Sequence, residues 1–396
     1  MQLLDGVRVL DLTNVLAGPY ASYQLALMGA DVIKVEVPDG GDLARQLGAD
    51  ATLSAQRMGA SFVAQNAGKR SITVDLKSDS GRQVFERLVA GADVLVENFR
   101  PGVMARLGFD WEQLRATNPG LVYCAISGFG QTGPMRSRPA YDQIIQGLSG
   151  MSAVTGTPET APLRVGFPIC DTLGGMTAAM AICAALVAKC RTGEGAYLDV
   201  SMLESSMTAL GWVVSDYLVA GRTPSPNGNE NPTGAPSATF ATGAGALNIA
   251  ANKQEQFETL CTLVGREDLL ADPRFAHRDD RKMHRDELRR ELEAALAARP
   301  GRDWEPLLNE AGVPAGLVLD VTESLELEQI AERCLVHDVQ LPDRTVKVLG
   351  TGFHVNSQAL QPKSPPPTLG QHTEELLTEL GFSESEIADL VTRGTA

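Results

Sequence analysis

The chain has 396 residues, 43% of them apolar and 21% charged, which is enough for a large core and more than one domain. A formal charge of −15 repels phosphate backbones and anionic membranes, so neither nucleic acid nor a lipid surface is an expected partner. The same field opposes any anionic substrate, so a site for one needs basic residues gathered locally.

The six cysteines are scattered and form no C-x-x-C pair, the pattern of reduced thiols in a cytoplasmic protein. No metal signature is present, and all five histidines lie in the last third. The opening MQLLDGVRVLDLT enters a strand pattern directly, with no basic segment and apolar run of the secretory type.

Strand and helix patterns alternate through the first half. Arg8–Thr13 is a strand, Pro19–Met28 a helix with Pro in its first turn, and Asp31–Glu36 the next strand. Ile72–Leu76 is a further strand and Ser78–Ala90 a helix. Asp93–Val96 and Leu121–Ile126 are short apolar runs of the kind buried in parallel sheets. Thr172–Lys189 reads as a buried helix, too short and too rich in Gly and Ala for a membrane span, and Ala196–Ser201 as a strand. This alternation predicts an α/β layer with a mainly parallel sheet.

From Gly221 to Gly245 the chain is dense in Pro, Gly, Asn and Ser, as in a crossing between domains. Beyond it, Leu247–Ala251 is a strand, Lys253–Val264 a helix and Lys282–Ala298 a charged amphipathic helix. Gly312–Leu319 turns into a strand, Thr345–Leu349 is another, and Thr373–Leu380 is a helix after the extended Pro365–Pro367 segment.

Four motifs carry chemistry. Ala17–Ala21 (AGPYA) puts a turn and a helix start after a strand, where open sheets collect ligands; the plainer and favoured reading is a routine strand–helix connection. Asn98, Phe99, Arg100 and Arg106 follow the Asp93–Val96 strand, with Lys77 past another strand at the same sheet edge. Phe can stack on a purine and Arg can bind phosphate, unless these side chains merely hold a turn by salt bridges.

Gly128–Gly133 matches G-x-G-x-x-G, but Pro134 and Pro139 follow where a dinucleotide fingerprint needs a helix, so NAD and FAD are not implied. Asp171 stands where an N-cap belongs. The plainer reading is a cap; the chemical one is a carboxylate held ionised by the helix N–H groups, with room beside Gly174 and Gly175 to attack a thioester. There is no G-x-S-x-G elbow, and no histidine among the first 276 residues to serve a Ser-His hydrolase.

In chain order, GVRVLDLTNVLAGPYA, MGADVIKVEVPDGGD, NAGKRSITVDLK, ADVLVENFRPGVMARLG, YCAISGFGQTGP, DTLGGMTAAMAICAAL, RTGEGAYLDVSMLES and PPPTLGQHTEELL resemble the class III CoA-transferases, the family of formyl-CoA transferase and carnitine CoA-transferase. The resemblance implies a Rossmann-like large domain built from residues 1–220 and 331–396, with a linker and smaller α+β domain over 221–330. It also implies an interlocked homodimer.

By position it makes Asp171 the catalytic aspartate and puts Val74, Leu76, Lys77, Asn98, Phe99, Arg100 and Arg106 against CoA, with Tyr141 lining the reaction site. Coenzyme A is then a substrate, with no permanently bound cofactor. The expected activity moves CoA from an acyl-CoA, such as succinyl-CoA, to a small carboxylic or dicarboxylic acid.

Leu16 and Val37 replace a glutamine and a CoA-binding arginine of formyl-CoA transferase, which points away from formate and oxalate. Racemases of the same family carry a histidine where Tyr141 stands, so the alternative of α-methylacyl-CoA racemisation lacks one of its two acid/bases. A second alternative is a CoA-ester-binding protein without turnover. Arg45, Arg57 and Arg164 are the arginines offered for a substrate's distal carboxylate.

Overall fold

In the computed structural model, which describes residues 1–395, the chain divides into two compact units. The first takes Met1–Met151, Arg164–Arg222 and the chain from Glu328 onward; the second takes Ser152–Leu163 and Thr223–Leu327.

The first unit is built on a six-stranded parallel sheet. Its strands are β1 (Arg8–Asp11), β2 (Asp31–Glu36), β3 (Arg70–Thr73), β4 (Val94–Glu97), β5 (Val122–Ser127) and β6 (Ala196–Ser201), in the spatial order β3-β2-β1-β4-β5-β6. Successive residues point to opposite faces, and both faces are covered. Val9, Val32, Val94, Val96 and Val122 pack with the helices Ala17–Leu27 and Ile169–Thr192. Leu10, Ile33, Ile72, Leu95 and Tyr123 pack on the other face with the helix Asp79–Ala90 and with Leu376, Leu377, Ile387 and Leu390 near the end of the chain. The β-branched runs of β2, β4 and β5 form strands because a doubly covered sheet buries nearly all their side chains, whereas the edge strand β6 leaves Tyr197 and Asp199 exposed.

The strands Asp31–Glu36, Ala196–Ser201 and Thr345–Leu349 fall where the sequence puts them. β3 is displaced: it starts at Arg70 and ends at Thr73, because the backbone N–H groups of Lys77 and Ser78 turn back onto Asp75. Val74 still donates its N–H to Glu36, but Leu76 and Lys77 lie in the turn.

The helix expected over Thr172–Lys189 runs from Ile169 to Thr192, and only one of its faces is buried within the chain. By length and composition it could cross a membrane; Ala178, Ala179 and Ile182 are nevertheless packed into the core, while Met176, Met180 and Val187 are exposed. Gly174 and Gly175 do not open a space beside Asp171. A Cβ on Gly174 would lie 3.0 Å from Met202, and one on Gly175 only 2.5 Å from the carbonyl oxygen of Ala17, so they serve close packing.

The second unit has an antiparallel sheet of β7 (Ser237–Ala241), β8 (Ala246–Ala250) and β9 (Ala315–Leu317). Its core gathers Phe240, Leu247, Ile249, Phe257 and Trp304 with Leu288, Leu292 and Leu296. Those three leucines, four residues apart, form the buried stripe of the helix Arg285–Leu296, which starts later than Lys282 because a separate short helix, Arg278–Met283, precedes it.

Candidate active site

The strand order reverses between β1 and β4, and ligands collect beyond the carboxyl ends of strands at such a point. Asp11 ends β1 there. It is fully buried and accepts hydrogen bonds from the Thr13 and Ser22 hydroxyls and from the Lys69 ammonium. Burial alone would raise its pKa, but Lys34 and Lys69 outweigh that and hold the carboxyl well below the usual range. Lys69, equally buried, is pushed down to about 8 by desolvation. Its four hydrogen-bond acceptors include the Pro19 carbonyl, so this cluster ties β1 to the start of the Ala17–Leu27 helix.

Asn98, just past β4, holds the facing loop. Its amide oxygen accepts the Asn14 N–H and its amide nitrogen donates to the Asn14 carbonyl, both at 2.8 Å. Phe99 is half-buried, its N–H given to Glu97, and Arg100 is exposed. Gly102 takes a left-handed φ of 85°, which turns the chain into the short helix Val103–Leu107 and presents Arg106 to solvent. Val74 is buried and Lys77 exposed. Among the described residues, no carboxylate lies within ion-pair distance of Lys77, Arg100 or Arg106. The salt-bridged turn weighed from the sequence is therefore not what these side chains form. Glu97, at the end of β4, is buried and pushed up to about 7 by desolvation.

Asp171 is not an N-cap. Pro168 occupies that position, and Asp171 sits in the first turn without making a side-chain cap bond. The acceptor that the helix start needs comes instead from Asp142, at the start of the helix Asp142–Leu148. Its Oδ1 accepts the N–H of Cys170 at 2.7 Å and that of Asp171 at 3.4 Å. Gln146 donates to its Oδ2 at 2.6 Å and accepts the Val165 N–H at 2.8 Å, which fixes the segment leading into the helix.

Among the described residues nothing donates a hydrogen bond to the Asp171 carboxylate and no cation pairs with it. Burial and then the charge of Asp142 push it up to about 7. The expectation that helix N–H groups hold Asp171 ionised is thus reversed: a neighbouring anion occupies the positive end of the helix first.

Tyr141 directly precedes Asp142 and is exposed. The glycine loop after β5 opens no helix until Asp142, and the Gln131 N–H is bound by Asp199, so it is not a free donor. Arg45 is withdrawn from the substrate candidates, because it is wholly buried in a two-bond pair with Glu36. Arg164 stands at the site, with Nη2 3.9 Å from Asp142 Oδ2. The part played by Asp142 and Gln146 escapes sequence reasoning; their spacing of four on one helix was the available signal.

A family model described as CoA-transferase family III matches residues 4–373. Among curated relatives, an acetyl-CoA:oxalate CoA-transferase of Acetobacter aceti is 41% identical over 350 residues, 87% of this chain and 89% of the relative. A succinate–glutarate CoA-transferase of Agrobacterium fabrum is 38% identical over 95% of each chain. Among solved structures, a CAIB/BAIF family protein from Brucella suis superposes with a TM-score of 0.86 at 36% identity, over 95% of this chain and 99% of that one. The chain belongs to CoA-transferase family III and is a CoA-transferase.

Proposed function

We propose that this chain moves CoA from acetyl-CoA or succinyl-CoA to a small dicarboxylic acid through covalent intermediates on Asp171. The observation that carries the proposal is the state of that carboxylate: half-buried, unpaired, and destabilised as an anion by its surroundings. A carboxylate poorly solvated and free of hydrogen bonds is a stronger nucleophile than one in water.

In the first step an Asp171 oxygen attacks the donor's thioester carbon, and the C–S bond breaks to give an aspartyl–acyl anhydride and CoA thiolate. The thiolate attacks the aspartyl carbonyl, which releases the donor acid and leaves an aspartyl-CoA thioester. The acceptor's carboxylate attacks that thioester and frees the thiolate again. The thiolate then takes the acceptor's acyl group, and Asp171 is restored. Each step exchanges one activated acyl group for another, so the protein's task is to exclude water from the anhydrides.

The β3-β2-β1-β4-β5-β6 strand order supports a CoA site at the β1–β4 crevice, with Asn98 shaping it, Phe99 and Val74 as apolar wall, and Lys77, Arg100 and Arg106 for the phosphates. Those three cations are the local answer to a chain of charge −15. Oxalate returns to the acids to be tried, since a relative named for it is 41% identical despite Leu16 and Val37.

The homodimer belongs to the same proposal. The helix Gly211–Ala220 has no buried residue, and its Trp212 and Val219 are 81% and 86% exposed. Apolar surface on this scale, with Met176 and Met180, is better accounted for by a covering subunit than by water. Sedimentation across a concentration series reads the subunit number; a monomer throughout contradicts it.

The test of transfer is incubation with acetyl-CoA or succinyl-CoA and a panel containing glutarate, mesaconate and oxalate, read by mass spectrometry of the CoA esters. Exchange is expected with the intact protein and not with Asp171→Ala. Exchange by that variant contradicts the proposal.

A further inference from the structure

We infer that Arg164 is a specificity-determining residue that binds the second carboxylate of a dicarboxylic acid at the Asp171 site. The inference rests on the transfer reading above and adds to it the group that distinguishes one class of acid from another.

The need for such a group follows from the charges in place. Asp142 and Asp171 adjoin, and the first already disfavours ionisation of the second. An acceptor acid must bring its own carboxylate against this pair, and a dicarboxylic acid brings two. In a partly desolvated site such repulsion is not screened as it is in water, so a cation must meet the substrate.

Three arginines were candidates. Arg45 is saturated by Glu36 and has no exposure. Arg57 holds a left-handed turn, with φ of 59°, and its carbonyl accepts a bond from Arg45; none of its bonds leads to Asp171. Arg164 alone of the three touches the residue that caps the nucleophile's helix.

The way Arg164 is held fits a waiting binding group. The backbone beside it is fixed, because the Val165 N–H is bound by Gln146, which is itself fully buried and tied to Asp142 and to the Phe167 carbonyl. Its side chain, in contrast, is uncommitted. It is 54% exposed, and its one ionic neighbour lies at 3.9 Å, well beyond the ~2.8 Å of a charge-assisted hydrogen bond. Among the described residues the guanidinium donates no hydrogen bond. A planar fork of donors on an anchored backbone, beside the nucleophile's cap, matches a carboxylate bidentately. The substrate's reacting carboxylate then faces the aspartyl thioester while its distal one is held by Arg164.

The test uses the full chain with acetyl-CoA as donor and two acceptors, glutarate and valerate, which share a chain length and differ in the second carboxylate. In Arg164→Gln, loss of a charged hydrogen-bond pair is expected to raise KM for glutarate by about 10- to 100-fold, with kcat changed less than about threefold. The preference for glutarate over valerate collapses, and Arg164→Lys recovers part of it. If Arg164 serves only to balance Asp142, both acids lose activity together; that result, or an unchanged preference, overturns the inference. A wild-type protein that forms no Asp171–CoA species sinks the transfer reading and this inference with it. One that forms the species, while Arg164→Gln leaves the preference intact, sinks this inference alone.

Discussion

Asp142 accepts the backbone N–H of Asp171 at 3.4 Å, so one carboxylate caps the helix on which the other acts. This arrangement takes the helix's positive end away from Asp171 and leaves it with a pKa near that of a histidine, pushed up to about 7 by burial and by Asp142.

The pH dependence of turnover follows from that relationship. The nucleophile must be ionised, so kcat/KM for an uncharged acyl donor group such as acetyl is expected to rise with pH through a midpoint near 7. Asp142→Asn keeps an acceptor oxygen for the Cys170 N–H but removes the charge, and the midpoint moves to lower pH. A pH–rate profile that stays in place in Asp142→Asn contradicts the electrostatic assignment.

The same shift has a cost in stability. Asp171's folded pKa lies above its unfolded value of 3.8, so between these values the native state holds the extra proton. Stability therefore falls as pH rises from about 4 to 7, and the penalty is complete above 7. Asp171→Asn removes an ionised group that the fold disfavours. It is expected to gain about 1–3 kcal/mol at pH 8 and almost nothing near pH 4, toward the lower figure because Asp171 is only half-buried. Thermal unfolding at the two pH values checks this; equal melting temperatures at pH 8 refute it.

Asn98 joins the loops beyond β1 and β4 through two 2.8 Å bonds to Asn14. Asn98→Ala leaves both Asn14 backbone groups without partners, at an expected cost of about 1–3 kcal/mol, and raises KM for the acyl-CoA. Denaturant unfolding and initial-rate kinetics read the two effects. A variant with normal stability and normal KM removes Asn98 from the account.

Packing makes a separate prediction at Gly175. A methyl group there meets the Ala17 carbonyl at 2.5 Å, and backbone gives way less readily than a side chain. Gly175→Ala is expected to destabilise by about 2 kcal/mol or more as the two helices separate. An unaltered melting temperature shows that the helices have slack.

Local signals in the sequence located much of this. β2 appears as a β-branched run of the right length and β6 as a short stretch with Tyr197, Leu198 and Val200, and the basic residues after β4 are visible as a cluster. What stayed hidden depends on long-range pairing. The helix bearing Asp171 seemed to start at that residue because Asp is a good cap, whereas its capping acceptor is 29 residues away. Arg45 looked available because nothing in its neighbourhood reveals that Glu36, on β2, buries it. Asn98 is visible as a polar residue after a strand, but nothing local reveals that its side chain gives both ends to the backbone of Asn14.

The most direct measurement is peptide mapping after incubation with acetyl-CoA and quenching with hydroxylamine, which converts an aspartyl thioester or anhydride to a hydroxamate. The modification is expected on Asp171, dependent on the donor and removed by adding an acceptor acid before the quench. Steady exchange of CoA esters with Asp171 unmodified, or with the label on another residue, contradicts it.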